Sequence, residues 1–452
     1  MKKYIKIILS SVLALLVLSC NRELDTFNED PTVPSSVPPN ILLAQIEVAS
    51  FAVHTSGLAR LSNMFTQHLA GASDQYVSYA NYNIPETATQ NEWDAIYSNI
   101  LINTDIMQND FEATHPYYSG IAKVLAAINL SYATDVWGDV PFLEAFGGLE
   151  GNFQPGYDEQ EVIYEQLQIL LDDAITLFDM PSSSNQLLPG SDDFMYKGDV
   201  SKWKNSAYVL KARYALRLGN LDDAASFIAS SNFTSSEDDL EAVFGEAGNE
   251  RNQWAAFQSE RSGYLKMGEF FIDLLKSTED PRLPFYATLD NEGGYSGNSS
   301  GDTTTNTTSD IGAFIASNSK NIGMVTYVEA KFIEAEALLV SNPIEAKAAF
   351  VAAVEASVLK VTEDSIDPTF VTEVTATVDL ENIITQKYVA MFSSMEPYND
   401  FRRTGFPELT PNPNADIDVI PVRLLVPQDQ RINNPNAVIV PNLVTPVWWD
   451  NN

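Results

Sequence analysis

Cysteine is all but missing from these 452 residues: Cys20 stands alone. A lone cysteine excludes an intramolecular disulfide, and with it a disulfide-stapled fold. Histidine is nearly as scarce, with His54, His68 and His115 scattered and no HExxH pair among them. A histidine-rich metal centre is therefore excluded, and His68 reads as a solvent-facing or core-edge side chain. Basic residues are few as well, 26 Lys and Arg against 61 Asp and Glu, a formal net charge of −35. Such a field repels nucleic acid and anionic lipid, and the basic patch of a nucleic-acid binder is absent. There is no Gly-x-Ser-x-Gly elbow, no Walker loop and no dinucleotide fingerprint, so the common nucleophilic and nucleotide chemistries lack their signatures. The calcium-loop spacing of acids is also missing. Asp290, Asp302 and Asp310 are the loop acids nearest to that requirement, and the sequence assigns no metal, no cofactor and no catalytic residue.

What is present begins at the first residue. Lys2, Lys3 and Lys6 precede a short apolar run from Ile7 to Leu18, closed by Ser19 and Cys20. This is the layout of a cleaved export signal. Twelve helical residues span roughly 18 Å, short of the roughly 30 Å hydrocarbon core. Residues 1–19 therefore read as a lipoprotein signal peptide. Cys20 becomes the acylated N-terminus, its thiol in a thioether to diacylglycerol, with palmitate as the expected acyl chain. Several acyl chains on one residue exceed the two-signal requirement for stable anchoring. Loss of the three lysines takes the net charge to −38. Residues 20–40, with Pro31, Pro34, Pro38 and Pro39, read as an extended tether. The body is 41–452.

Within the body, helical periodicity dominates. Ile163, Leu167, Leu170, Leu171, Ala174 and Phe178 form one stripe, as do Trp203, Ala207, Leu210, Tyr214 and Leu218, and Leu380, Ile384, Tyr388, Met391 and Phe392. Thr326 and Glu329 stand at capping-box spacing, and Asn342-Pro343-Ile344-Glu345 supplies a cap, a first-turn proline and an acid. Residues 211–227 align without gaps on 334–350, each a helix, a tight turn and a helix. Hairpins of this tetratricopeptide-like kind bury a continuous core only by stacking. The fold expected is mainly α, stacked hairpins against a loop-rich face with few short strands.

Three stretches break the pattern: 71–92, 290–312 and 396–452, the last read as irregular with a few short strands. Long ordered loops in compact proteins are usually functional. A neutral sugar offers C–H faces for aromatic stacking and hydroxyls for hydrogen bonds. Tyr76, Tyr79 and Tyr82, three residues apart with Asn81 beside them, meet that requirement best, with Tyr295 next. The competing reading puts the tyrosines on one buried helical turn, as it puts Trp93 in the core.

Four stretches together resemble the SusD/RagB family of outer-membrane lipoproteins, in its SusD-like nutrient-binding branch. The first runs through Asp135, Trp137, Gly138, Asp139, Pro141 and Glu144. The second runs from Asn252 and Trp254 through Asp273 to Asp280, Pro281 and Arg282. The third is Thr326, Glu329, Glu334 and Glu336. The fourth is Glu396, Asp400, Arg402, Arg403, Gly405 and Pro407, with Pro421 and Arg423 behind it. The resemblance implies a non-catalytic binder of glycan or peptide from Bacteroidota, handing its ligand to a SusC-like TonB-dependent transporter in the outer membrane. Read physically, Gly138 suits a left-handed helix end, and Arg402 and Arg403 suit internal pairing with carboxylates such as Asp400. Two other classes compete. One is a surface glycosidase using an unrecognised carboxylate pair, which the many acids permit; the other is a helical-repeat scaffold that binds protein.

Overall fold

The computed structural model describes residues 37–302, 307–364 and 367–450. The signal segment, Cys20 and most of the tether lie outside the described residues. The first helix, α1, spans Pro39–Thr55, and α2 follows at Gly57–Phe65. Together they are long and apolar enough to cross a membrane, yet more than half of their most apolar 18 residues is buried within the protein. They are followed by β1 (Leu69–Gly71), α3 (Gln75–Ala80), α4 (Pro116–Trp137), α5 (Gln160–Phe178), α6 (Val200–Arg217) and α7 (Leu221–Ser231). Then come β2 (Leu240–Ala242), β3 (Leu265–Met267), α8 (Glu269–Ser277) and β4 (Ile322–Val325). The last set is α9 (Tyr327–Leu338), α10 (Pro343–Thr362), α11 (Leu380–Ala390) and α12 (Glu396–Thr404).

Three antiparallel hairpins, α4/α5, α6/α7 and α9/α10, stack side by side in chain order. The central element is α4, in which every residue is buried. A helix apolar all round belongs inside, and its small residues set how close the neighbours come. At Gly120 a Cβ would lie 2.7 Å from the Phe178 ring, so α5 packs directly on the α4 backbone. The helix starts follow the sequence signals. Thr326 accepts from the Glu329 N–H at 3.1 Å, and Asn342 caps α10 ahead of Pro343. The strands form two short antiparallel pairs, β1 with β3 and β2 with β4. The segment from 396 onward differs from its irregular, strand-bearing reading. It opens with α12, has a second short helix at Gln428–Asn433, and contains no strand among its described residues. Glu396 and Asp400 are held by Arg and Lys of other helices, which keeps this polar stretch helical inside the fold.

A buried ionic network ties the stack together. On α6, Arg213 forks onto Glu329 of α9 at 2.6 Å and 2.5 Å and reaches the Met324 carbonyl at 2.7 Å. One turn on, Arg217 bridges Asp135 of α4 and Glu396 of α12. Asp135 also accepts from the Trp449 indole N–H at 3.0 Å and the Tyr164 hydroxyl at 2.5 Å. Asp400 binds Lys387 at 2.8 Å and Arg403 at 2.9 Å, and Arg403 continues to Glu336. Burial opposes the Asp400 charge, but Lys387 and Arg403 hold its carboxyl at about 2. Arg403 thus takes the expected carboxylate partner Asp400. The Arg402 guanidinium donates to the carbonyls of Asp135 (2.6 Å) and Val422 (2.8 Å) and to Asn399, closing the joint between α4, α12 and the C-terminal segment.

His68 is fully buried, which corrects its surface reading. Its ring nitrogens lie 2.9 Å from the Thr66 hydroxyl and 3.0 Å from the Tyr388 carbonyl, and its ring stacks on Tyr388. Burial drives its pKa down to about 3. The folded state then binds fewer protons than the unfolded state, so this contribution is present above pH 6.5 and is lost as pH falls toward 3. Relative to His68→Gln, the wild type should lose about 2 kcal/mol between pH 6.5 and pH 5. Urea midpoints of the two proteins at both pH values test this; parallel pH dependences would contradict it.

Candidate functional site

On the loop-rich face, β1, the start of α8 and two loops enclose an open cleft. One lobe of about 510 Å³ lies along Gln67, Leu69 and Ala70 on one side and Glu269, Asp273 and Ser277 on the other. An adjoining lobe of about 490 Å³ shares Gln67, Glu269, Ser299 and Ser300 and extends to Asp302, Thr410 and Asn414.

The local chain path explains why these residues meet. The β1–β3 pairing sets Leu69 opposite Met267. The Gly268 N–H then donates to the His68 carbonyl at 2.8 Å, and Glu269 N–H to the Asn298 carbonyl at 2.8 Å. This pins the loop before 302 against the N-terminal turn of α8. The approach requires glycine at two places. A Cβ at Gly268 would sit 2.0 Å from the Gln67 carbonyl oxygen, and one at Gly297 2.4 Å from the Glu269 nitrogen. The turn at 290–296 ahead of it is closed by its own polar groups. Asp290 accepts from the N–H groups of Glu292 and Gly294 and from the Ser296 hydroxyl. These bonds, those from Gly294 and Ser296 foremost, hold its carboxyl below the ordinary value.

Electrostatically the cleft is one-sided. Glu269 and Asp273 stand one turn apart on α8, both exposed, and neither carboxylate has a hydrogen bond or ion pair among the described residues. Among the described residues no lysine or arginine lines either lobe. Asp302 adds a third acid at the second lobe, and serine, threonine, asparagine and glutamine supply the neutral polar groups, with Phe270 and Leu274 as the apolar floor. The lining suits a hydroxyl-rich, uncharged molecule and disfavours a polyanion. Among the described residues no group of three or more His, Cys, Asp or Glu could hold a metal ion. Of the loop acids, Asp290 caps a turn and Asp310 pairs with Lys266 at 2.9 Å.

The structure treats the predicted aromatics differently from an open loop. Residues 75–80 are the short helix α3, and spacing by threes turns Tyr76 inward. Its ring lies 5.4 Å from Phe257, and its hydroxyl accepts from Arg60 at 3.0 Å. Tyr82 is also buried, at a φ of 60°, with its hydroxyl accepting from the Asn412 N–H at 3.0 Å. Asn81 accepts from the Asn412 side chain at 2.9 Å. Tyr79 and Tyr295 are half-buried. None of Tyr76, Tyr79, Asn81, Tyr82 and Tyr295 lines the cleft; Asn81 and Tyr82 converge on Asn412, which stands between the lining residues Pro411 and Pro413 and beneath Gly301. Trp93, read as core, is buried against Trp137 and Tyr97. Of the cleft residues, Gln67, Glu269, Ser299 and Ser300 carry no sequence signal of their own, Asp273 stands in a stretch that resembles the family, and Asp302 is one of the loop acids. Ser299, Ser300 and Thr410 do fall inside stretches that read as long ordered loops.

Gly138 ends α4 at a φ of 84° and ψ of −122°, positive as its helix-end reading required but outside the left-handed helical well. A Cβ there would meet the Arg423 guanidinium at 2.9 Å.

The architecture is that of a stacked-hairpin helical protein with an open polar cleft on its loop face. The chain belongs to the SusD-like family, whose model, described as "Starch-binding associating with outer membrane", matches residues 31–427. Among curated proteins none matches. Similar solved structures include a chitin-binding SusD homolog from Flavobacterium johnsoniae, 22% identical with a TM-score of 0.78, covering 92% of this chain and 99% of that one. A SusD/RagB family protein from Bacteroides thetaiotaomicron is 24% identical with a TM-score of 0.76 over 92% and 99% of the chains. A chitin-binding protein is 24% identical with a TM-score of 0.77 over 92% and 100%. At these identities the likeness is one of fold.

Proposed function

We propose that this protein is a non-catalytic glycan-binding lipoprotein of the outer membrane that delivers its ligand to a SusC-like TonB-dependent transporter. Family membership across residues 31–427 is the observation that carries this reading. The chitin-binding neighbours of the same fold support a carbohydrate over a peptide. So does the cleft, which offers many hydrogen-bonding groups, an apolar floor and no cationic side chain. In this reading residues 1–19 are the signal peptide, Cys20 is lipidated, residues 20–40 are the tether, and the rest is the binding body. Tyr79 and Tyr295, half-buried on the same loop-rich segments, are proposed to meet ligand at the rim, while Tyr76, Asn81 and Tyr82 hold those segments in place.

The test is direct. An arginine at Ser300 would fill the cleft and pair with Glu269 and Asp273. Calorimetric titration with chitohexaose and maltoheptaose should give at least tenfold weaker binding to Ser300→Arg than to wild type, with unfolding midpoints unchanged. Equal affinity of the two proteins would remove the cleft from the proposal. Turnover of either sugar by the purified protein would replace binding with catalysis.

A further inference from the structure

A second pocket of about 330 Å³ lies between the end of α4, the first turn of α5 and the C-terminal segment, and shares no residue with the α8 cleft. Trp448 and Val440 form one wall; Asp139, Gln160, Glu161 and Arg423 form the other.

Three observations single it out. First, Trp448 is 46% exposed, whereas the other five tryptophans are at most 4% exposed. Leaving an indole in water forgoes one of the largest burial gains a side chain offers. Second, two deeply buried side chains of the lining carry polar atoms with no partner. Arg423 is 5% exposed; its Nη2 donates to the Trp137 carbonyl, and its Nε–H has no acceptor. Gln160 is fully buried; its Nε2 donates to the Thr134 carbonyl at 2.7 Å, and its Oε1 has no donor. Native interiors leave few such groups unsatisfied. Both residues line this pocket, and among the described residues one donor and one acceptor lie just beneath its wall without a partner, within reach of an occupant after a small side-chain shift. Third, burial pulls the Arg423 pKa down to about 10, with Asp139 pulling weakly the other way. Arg423 is thus a cation with little local compensation, which a hydroxyl oxygen would relieve.

The chemistry of an occupant follows. Asp139, Glu159 and Glu161 repel an anion. Arg423 repels a cation. The unsatisfied donor and acceptor argue against a purely apolar guest. A neutral pyranose answers all of these, since its C–H face stacks on the indole and each hydroxyl both donates and accepts. We infer that the Trp448 pocket is a second subsite for a neutral sugar ring, separate from the α8 cleft. The inference rests on the glycan-binding reading, and two sites on one body would favour long chains through effective concentration.

Trp448 supplies its own probe. With excitation at 295 nm, acrylamide should quench mainly the Trp448 component of wild-type emission, and saturating maltoheptaose or chitohexaose should protect it by at least twofold. This measurement needs no variant. In the Ser300→Arg background one of these sugars should still bind, and adding Trp448→Ala should weaken that binding at least tenfold. If Ser300→Arg abolishes all binding and neither sugar shields Trp448, the second subsite is overturned while the cleft stands. If wild type binds neither sugar nor any other in a panel of neutral oligosaccharides, both fall together.

Discussion

Arg217→Met is expected to cost about 3–5 kcal/mol of folding stability, the range for removing one partner from a buried ion pair. The guanidinium is 4% exposed and bridges Asp135 and Glu396, which are themselves 1% and 5% exposed. Without it, the Asp135 carboxylate keeps the neutral donors Trp449, Tyr164 and Asn399, while Arg402 binds its main-chain carbonyl. Glu396 keeps Arg213 at 3.9 Å. Two carboxylates buried within one network would then face each other with half their compensation. Against a total stability of about 5–15 kcal/mol, that is enough to deplete the folded population. Arg217→Lys should fall between, since an ammonium retains charge but cannot bridge both partners in one plane. The control is Arg431→Met, which breaks a surface pair with Glu86 at 2.8 Å and should cost less than about 1 kcal/mol. Urea unfolding followed by circular dichroism ranks the three variants. An Arg217→Met midpoint matching that of Arg431→Met would mean the network is not what joins α4, α6 and α12.

The second large effect concerns the proposed anchor. Cys20→Ser should move the protein from the membrane fraction to the soluble fraction and abolish incorporation of labelled palmitate. Each buried methylene contributes about 0.8 kcal/mol, so acyl chains dominate attachment of a body this acidic. An anionic protein gains nothing from an anionic surface, so no electrostatic contribution remains to hold the variant in place. Retention of Cys20→Ser in the detergent phase of a Triton X-114 partition would show that something other than Cys20 carries attachment.

The residues that carried the family resemblance have a physical role the sequence only partly displayed. Asp135, Glu329, Glu396 and Arg402 come from three separate stretches and enter one buried cluster around Arg213 and Arg217, while Glu336, Asp400 and Arg403 enter a second with Lys387. Their types were legible as charged residues in apolar helices. Their partners were not, because Arg217 sits 82 residues from Asp135 and 179 from Glu396, and no local period encodes such pairings. Arg402 illustrates the limit: Asp400 is near in sequence, but the arginine reaches instead across to the Asp135 and Val422 carbonyls.

What the sequence by itself determined is what local periodicity and composition can encode. The helical stripes, the caps at Thr326 and Asn342, the hairpin alignment of 211–227 with 334–350 and the strongly acidic balance all depend on nearby residues or on summed charge. The lone Cys20 after a short apolar run is of the same kind. Tertiary structure alone decided which polar stretches face inward. Residues 75–82 have the composition of an open loop, but Arg60, Phe257 and Asn412, distant in sequence, claim the side chains of Tyr76 and Tyr82. The cleft depends likewise on β1 pairing with β3 and on Gly268 and Gly297 letting two loops touch. Surfaces built by such long-range contacts have no period to betray them, because the residues that meet there are spaced by the fold and not by the chain.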